Sequence, residues 1–248
     1  IDENILNIIT NVTQIKDKNI LEVGPGTGNL TSFILKKKPK NFSVIEKDDN
    51  LANELENRFE DQIKIINKDI LQIDETNIFS EKVTVFGNLP YNISTEILTK
   101  WIINLNDNFW FDHLILMFQK EVADRIIAKE NTKNFGRLSI ISNWKLDVEK
   151  IIDIKPGSFF PKPKINSSLL LFKPKTNFIK IEKNENLEMI TRIFFNQKRK
   201  KIKKSFSRLF NNPKFIIEKL DIDENLRPQN LSIETYLKIA KEYESLRN

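Results

Sequence analysis

The sequence predicts an α/β fold, a mostly parallel sheet with crossover helices, followed by a small all-α C-terminal domain. Three observations predict it. Strand-like apolar runs alternate with helical patterns through the first two-thirds of the chain. A glycine turn follows the first of those strands and opens a helix, as in open α/β sheets that bind ligands at their strand ends. From about Phe178 onward the pattern is helical only, so the boundary is placed to give units over residues 1–177 and 178–248.

The elements follow in order. Residues 1–15 set Ile5, Ile8, Ile9 and Val12 at helical spacing behind an Asp2 cap. The strand NILEVG ends at Gly24, a helix starts near Leu30, and the strand NFSVIE ends at Glu46. A helix from Asp48 places Leu51, Leu55 and Phe59 on one face, and the strand IKIINKD carries Asp69 at its end. KVTVFG ends at Gly87, and a turn containing Pro90 separates it from a helix near 94–104. The strand DHLILMFQ leads into an amphipathic helix, EVADRIIAK. DVEKIIDIK and SSLLLFK suit antiparallel strands that close one edge.

Composition narrows the class. With 248 residues, 40% hydrophobic and 30% charged, the chain can bury one sizeable core and is neither collagen-like nor disordered. No apolar run approaches the ~20 residues that span a bilayer, and no signal-type segment opens the chain, so a cytoplasmic protein without a membrane partner is expected. The absence of cysteine removes thiolate catalysis and Cys-ligated zinc, and the single histidine, His113, is read as structural, so no metal is expected. The net charge of +6 fits a polyanionic partner. Its distribution is more telling: Arg192, Lys198, Arg199, Lys200, Lys201, Lys203, Lys204 and Arg208 share a stretch without an acid. Such a run is a solvated face or a phosphate-binding surface.

Three strand ends carry groups suited to a nucleoside. In the segment from Glu22 to Gly28, Gly24 and Gly26 let the backbone approach a ligand closely. That turn alone is structural or binds some other nucleotide in many proteins. Glu46 ends the next strand about 20 residues on, where a carboxylate can accept from both ribose hydroxyls. Asp69 is placed to accept from an adenine amine, with Ile70 against the ring, and its simpler reading is an N-cap. The turn lacks the P-loop lysine, and GPGTG differs from the pyrophosphate-binding pattern, so S-adenosyl-L-methionine fits best.

The fourth strand ends in Asn88-Leu89-Pro90-Tyr91. An adenine amine is a poor nucleophile because its lone pair is delocalised into the ring. If the Asn88 side-chain oxygen and the Leu89 carbonyl accept its two N–H bonds, the nitrogen can pyramidalise toward a methyl donor. Pro90 stiffens the turn, and Tyr91 offers a stacking face for a base drawn out of RNA.

The runs GNLPYNIST, LEVGPGTGNLT, VIEKD, QKEVADR, FGRLS and FFPKPKINSS together resemble the KsgA-type ribosomal RNA adenine dimethyltransferases over essentially the whole chain. The resemblance implies a Rossmann-like class I SAM-dependent methyltransferase fold with a seven-stranded, mostly parallel sheet. It implies donor contacts at Gly24, Glu46, Asp69 and Asn88, and a target-adenine pocket at Asn88, Leu89, Pro90 and Tyr91. Phe159 matches the family phenylalanine that stacks opposite Tyr91, with Phe160 beside it at a position that is often small or polar in the family. NQKRK resembles the family's basic NQRRK helix. The activity implied is dimethylation of N6 on two adjacent adenosines in a hairpin near the 3' end of 16S rRNA, within the immature 30S subunit, by a monomer. Two rivals are a macrolide-resistance 23S rRNA methyltransferase and a mainly non-catalytic assembly factor. Family members open with a basic segment bearing a GQNFL-like motif, and this chain, starting at Ile1, is expected to be trimmed there.

Overall fold

The first strand, β1 (Asn19–Val23), is buried at every position, as a strand covered on both sheet faces must be. In the computed structural model, which describes residues 2–105, 108–159 and 162–247, it is the third strand from one edge of a seven-stranded sheet. The helix α1 (Glu3–Thr10) precedes it. After it come α2 (Asn29–Lys36), β2 (Asn41–Glu46), α3 (Asp49–Phe59), β3 (Lys64–Asn67), β4 (Val83–Gly87), α4 (Ser94–Ile103) and β5 (Phe111–Gln119). The helices α5 (Lys120–Ile126) and α6 (Arg137–Ser142) lead to β6 (Leu146–Ile154) and β7 (Ser167–Pro174). The order across the sheet is β3-β2-β1-β4-β5-β7-β6. Strands β1 to β5 pair in parallel, and β7 runs antiparallel to β5, which is the antiparallel edge the sequence leads one to expect.

The chain divides into two compact units. One holds Ile1–Lys100, Leu105–Ala123 and Asp147–Pro174; the other holds Trp101–Asn104, Asp124–Leu146 and Lys175–Asn248. The second therefore differs from the expected C-terminal segment of 178–248 by gathering in residues from the middle of the chain. The reason is packing: Phe135, Ile140 and Trp144 are buried in one cluster with Leu187, Ile190 and Phe194 of α7 (Asn184–Phe195). To that cluster α8 (Lys203–Leu209), α9 (Pro213–Lys219) and α10 (Ile233–Ser245) add Phe206, Ile216 and Tyr236. The first unit's core joins Leu6, Ile9, Ile20, Ile34, Leu55 and Phe59.

Local departures from expectation have simple causes. The first helix stops at Thr10, which leaves Ile8 exposed while Leu6 and Ile9 take the core positions. The third strand ends at Asn67, so Asp69 lies beyond it and starts a short 3-10 turn at Ile70–Gln72. The run Asn196–Ile202 is a turn between α7 and α8 rather than the basic helix expected there. Like charges three and four positions apart on a helix repel, and in the turn Ile202 is buried in the core.

Candidate active site

The strand after β1 lies on one side of it, while β4 and its successor β5 lie on the other, so a crevice opens past the ends of β1 and β4. The register sets Val23 opposite Gly87, which brings the next residues, Gly24 and Asn88, side by side. A cavity of about 410 Å³ sits there, a size suited to a small ligand. It brings together Glu22, Gly24, Gly26, Asn88, Leu89, Pro90, Tyr91 and Phe159 of the residues singled out in the sequence. Thr27, Asn29, Leu30, Leu51 and Pro163 complete much of the lining.

Two glycines in the turn meet separate demands. Gly24 has φ +71°, and a Cβ there would lie 3.1 Å from the Asn88 carbonyl oxygen. A side chain at Gly24 would therefore press on the Asn88 carbonyl as well as carry a positive φ. A Cβ on Gly28 would come within 2.5 Å of the Phe59 ring, so this glycine lets α2 begin directly against α3. Arg58 secures the turn from the same helix, donating to the Thr27 carbonyl at 2.6 Å and to Ser32 Oγ at 3.1 Å.

The carboxylates play unlike parts. Glu46 is buried; its Oε2 accepts the Gly26 N–H at 3.2 Å, and Oε1 accepts those of Lys47 and Asp48 at 2.9 and 3.0 Å. It is not the solvated helix-start carboxylate that its position alone suggests. Two N–H donors fill Oε1, while Oε2, with one donor, keeps a lone pair open. Glu22 is fully enclosed and accepts the Thr31 hydroxyl at 2.7 Å. Burial pushes its carboxyl up to about 8, against the lowering effect of Thr31 and with a smaller push from the Glu46 charge. Asp69 does serve as an N-cap, Oδ1 accepting the Leu71 N–H at 3.0 Å, while Oδ2 takes Lys47 Nζ at 2.7 Å. The Lys47 ammonium, then the Leu71 N–H, hold its carboxyl below the usual range. Glu46, Asp69 and Ile70 are not among the lining residues; Glu46 reaches the wall through the Gly26 N–H, and Asp69 is tied to Lys47, the residue after Glu46.

At the end of β4 the Leu89 side chain is buried beneath the turn, and Pro90 faces solvent. The Ile93 N–H donates to the Pro90 carbonyl at 3.1 Å, closing the turn ahead of α4. Among the described residues the Asn88 side-chain amide has no hydrogen-bond partner, so it is available to an incoming amine. Tyr91 and Phe159 are half-buried rings on the lining. Phe160 lies outside the described residues. His113 stands in β5 with Nδ1 3.2 Å from Asp112, away from this cavity.

A family model described as ribosomal RNA adenine dimethylase matches residues 1–245. The chain belongs to this family. It is 61% identical to the ribosomal RNA small subunit methyltransferase A of Pelagibacter ubique, over 100% of this chain and 94% of that one. The protein of the same name from Ehrlichia ruminantium is 42% identical over 97% of this chain and 90% of that one. Among solved structures, a dimethyladenosine transferase from Plasmodium falciparum superposes with a TM-score of 0.82 at 26% identity, covering 98% of this chain and 96% of that one. The 23S rRNA methyltransferase ErmE shares the fold at 20% identity and a TM-score of 0.68, covering 99% and 98%.

As a member of the adenine dimethylase family, the chain uses S-adenosylmethionine as methyl donor. The residues present fit such a group. The side-chain-free surface at Gly24 and Gly26, the buried Glu46 carboxylate tied to Gly26, and the absence of any lysine among the lining residues suit a nucleoside with a cationic sulfur rather than a polyphosphate. The basic residues between Arg192 and Arg208 are exposed, with Lys198 half-buried. Arg192 pairs with Glu188, Lys198 with the Lys133 carbonyl, Lys201 with Asn225 and Lys203 with Glu224. Arg199, Lys200, Lys204 and Arg208 have no side-chain partner among the described residues.

Several site residues escaped the sequence reading. Leu51 reads as a core position of α3, yet it lines the cavity while Leu55 and Phe59 take the core. Arg58 and Thr31 act on residues 31 and 9 positions away, separations that carry no local signal. Lys100 of α4 donates to the Ile70 carbonyl at 2.9 Å and to Glu75 at 2.8 Å, fixing the segment after Asp69.

Proposed function

We propose that the chain transfers methyl groups from S-adenosylmethionine to N6 of two adjacent adenosines in a hairpin near the 3' end of 16S rRNA, acting on the immature 30S subunit. The observation that carries this reading is the shared wall of the cavity: the Asn88–Tyr91 turn stands directly against Gly24, with the Asn88 amide unpartnered among the described residues. The small-subunit assignment draws support from relatives at 61% and 42% identity that bear that name. The large-subunit enzyme is similar at a level that speaks for fold alone.

The donor, when bound, supplies a methyl group on a positively charged sulfur. The chain's own residues prepare the acceptor. The Asn88 Oδ1 and the Leu89 carbonyl accept the two N6–H bonds, drawing the lone pair out of conjugation with the ring. Tyr91 and Phe159 hold the extruded base between their faces, which fixes its nitrogen in space before reaction. Glu22, the one carboxyl among the described lining residues, is pushed toward its protonated form by burial, which suits it poorly to act as a base. The methylated nitrogen, once cationic, loses its proton to water. A second transfer requires room for one N-methyl beside Leu89. The basic turn between α7 and α8 supplies cations to rRNA phosphates.

Incubating labelled S-adenosylmethionine with separated, undermethylated subunits, followed by nucleoside analysis, tests the reading. Dimethyladenosine from the small subunit alone is the expected result. Label confined to large-subunit RNA would reverse the assignment.

A further inference from the structure

Tyr91 is held at both ends. Its backbone belongs to the closed turn, where Ser94 Oγ donates to the Tyr91 carbonyl at 3.2 Å. Its hydroxyl lies 2.6 Å from Oγ of Ser167, the first residue of β7 and fully buried. The antiparallel direction of β7 makes this possible. Ser167 is in register with Gln119, the last residue of β5, so β7 begins at the edge where the parallel strands end. The loop that precedes β7 carries Phe159 and Pro163 to the same cavity.

Two serines open an otherwise apolar run, SSLLLF, and both are buried. A buried hydroxyl needs a partner, so packing alone would be better served by alanine or valine there. Ser168 answers to Asp153, at 2.6 Å, which in turn holds Lys120. Ser167 answers to Tyr91. We infer that Ser167 is a positioning residue for methyl transfer: its hydroxyl fixes the tilt of the Tyr91 ring so that a preset face meets the target adenine. This rests on the reading of Tyr91 as the stacking face proposed above. A ring anchored only at Cβ would sweep across the cavity mouth, and ordering it would be charged to each binding event. With the phenol held, that ordering is complete before the base arrives.

The phenyl ring of a Tyr91→Phe variant would stack as well as the phenol, so that substitution isolates the hydroxyl contact. The experiment measures steady-state methylation of undermethylated small subunits by the full chain carrying Ser167→Ala, Tyr91→Phe, both together, Ser167→Thr and Tyr91→Ala, with donor affinity and melting temperature measured in parallel. Each single hydroxyl deletion is expected to lower kcat/KM for the RNA roughly three- to tenfold, the worth of one such hydrogen bond, with donor affinity unchanged. The double variant should lose no more than either single one, and Ser167→Thr should recover most of the activity. Losses that multiply in the double variant, or a Ser167→Ala enzyme equal to the parent while Tyr91→Ala is impaired, would overturn the positioning role and leave the stacking role standing. If Tyr91→Ala itself transfers methyl groups at the parent rate, the reading of Tyr91 fails and the inference with it. Should Ser167→Ala fold poorly, Tyr91→Phe breaks the same contact from the cavity side and decides the matter alone: a parent-like Tyr91→Phe enzyme overturns the role.

Discussion

Glu22 sits in a strand buried at every position, with a carboxyl raised from 4.5 to about 8. The folded chain keeps the proton where the unfolded chain has released it. The contribution of this group to stability is therefore complete below about pH 4.5 and is lost as pH rises through about 8. Glu22→Gln, which has no proton to lose, should show a flatter melting temperature than the parent in scans from about pH 5 to 9; parallel curves would show that Glu22 is not protonated in the fold. On the same cavity lining, Phe159→Ala should raise KM for the RNA while leaving donor affinity intact, measured by titration with each substrate. At this scale the sequence was most legible where a motif is contiguous. Asn88 to Tyr91 occupy one turn and reach one cavity together. Asp69 was harder, because a carboxylate after a strand can cap a turn and face a ligand at once, and here its capping and its Lys47 pair are what the fold displays. The Tyr91–Ser167 contact spans 76 positions and leaves no trace in local pattern.

Among the elements, the junction of α2 with α3 depends on Gly28. An alanine there would carry a positive φ and place its Cβ within 2.5 Å of Phe59 and 2.9 Å of Leu55, both buried. Gly28→Ala should destabilise the fold by about 1–3 kcal/mol in denaturant unfolding, the usual cost of overpacking; a midpoint equal to the parent's would show that the helix pair yields without strain. The turn between α7 and α8 makes a different prediction. Replacing the unpartnered cations of the turn, by Arg199→Gln and Lys200→Gln, and of α8, by Lys204→Gln and Arg208→Gln, should flatten the salt dependence of RNA binding by roughly 0.7–0.9 per lost phosphate contact. An unchanged slope would assign RNA binding to other cations. The alternation of strands and helices was legible because apolar period changes visibly between them. Helix ends were less so: charge composition reads alike in a helix and in the turn that the basic run forms.

For the whole molecule, the parallel sheet and its antiparallel edge followed from the order of elements, while the strand order β3-β2-β1-β4-β5-β7-β6 did not. In that order β1 and β4 are neighbours, which sets Gly24 against Asn88. The helical pattern from about Phe178 marked a C-terminal unit but gave no sign of its recruitment of Asp124–Leu146, because α6 finds its apolar partners in α7, more than forty residues later. Among the described residues, no helix is long and apolar enough to cross a membrane. The central claim is that the turn after β4 holds the target amine for transfer. Single-turnover methylation of undermethylated small subunits by Asn88→Ala, with particle binding measured on the same preparation, tests it most directly. Transfer should fall on the order of a hundredfold or more, the usual loss when one preorganised polar contact is removed, with binding retained. Transfer at the parent rate with binding intact would contradict it.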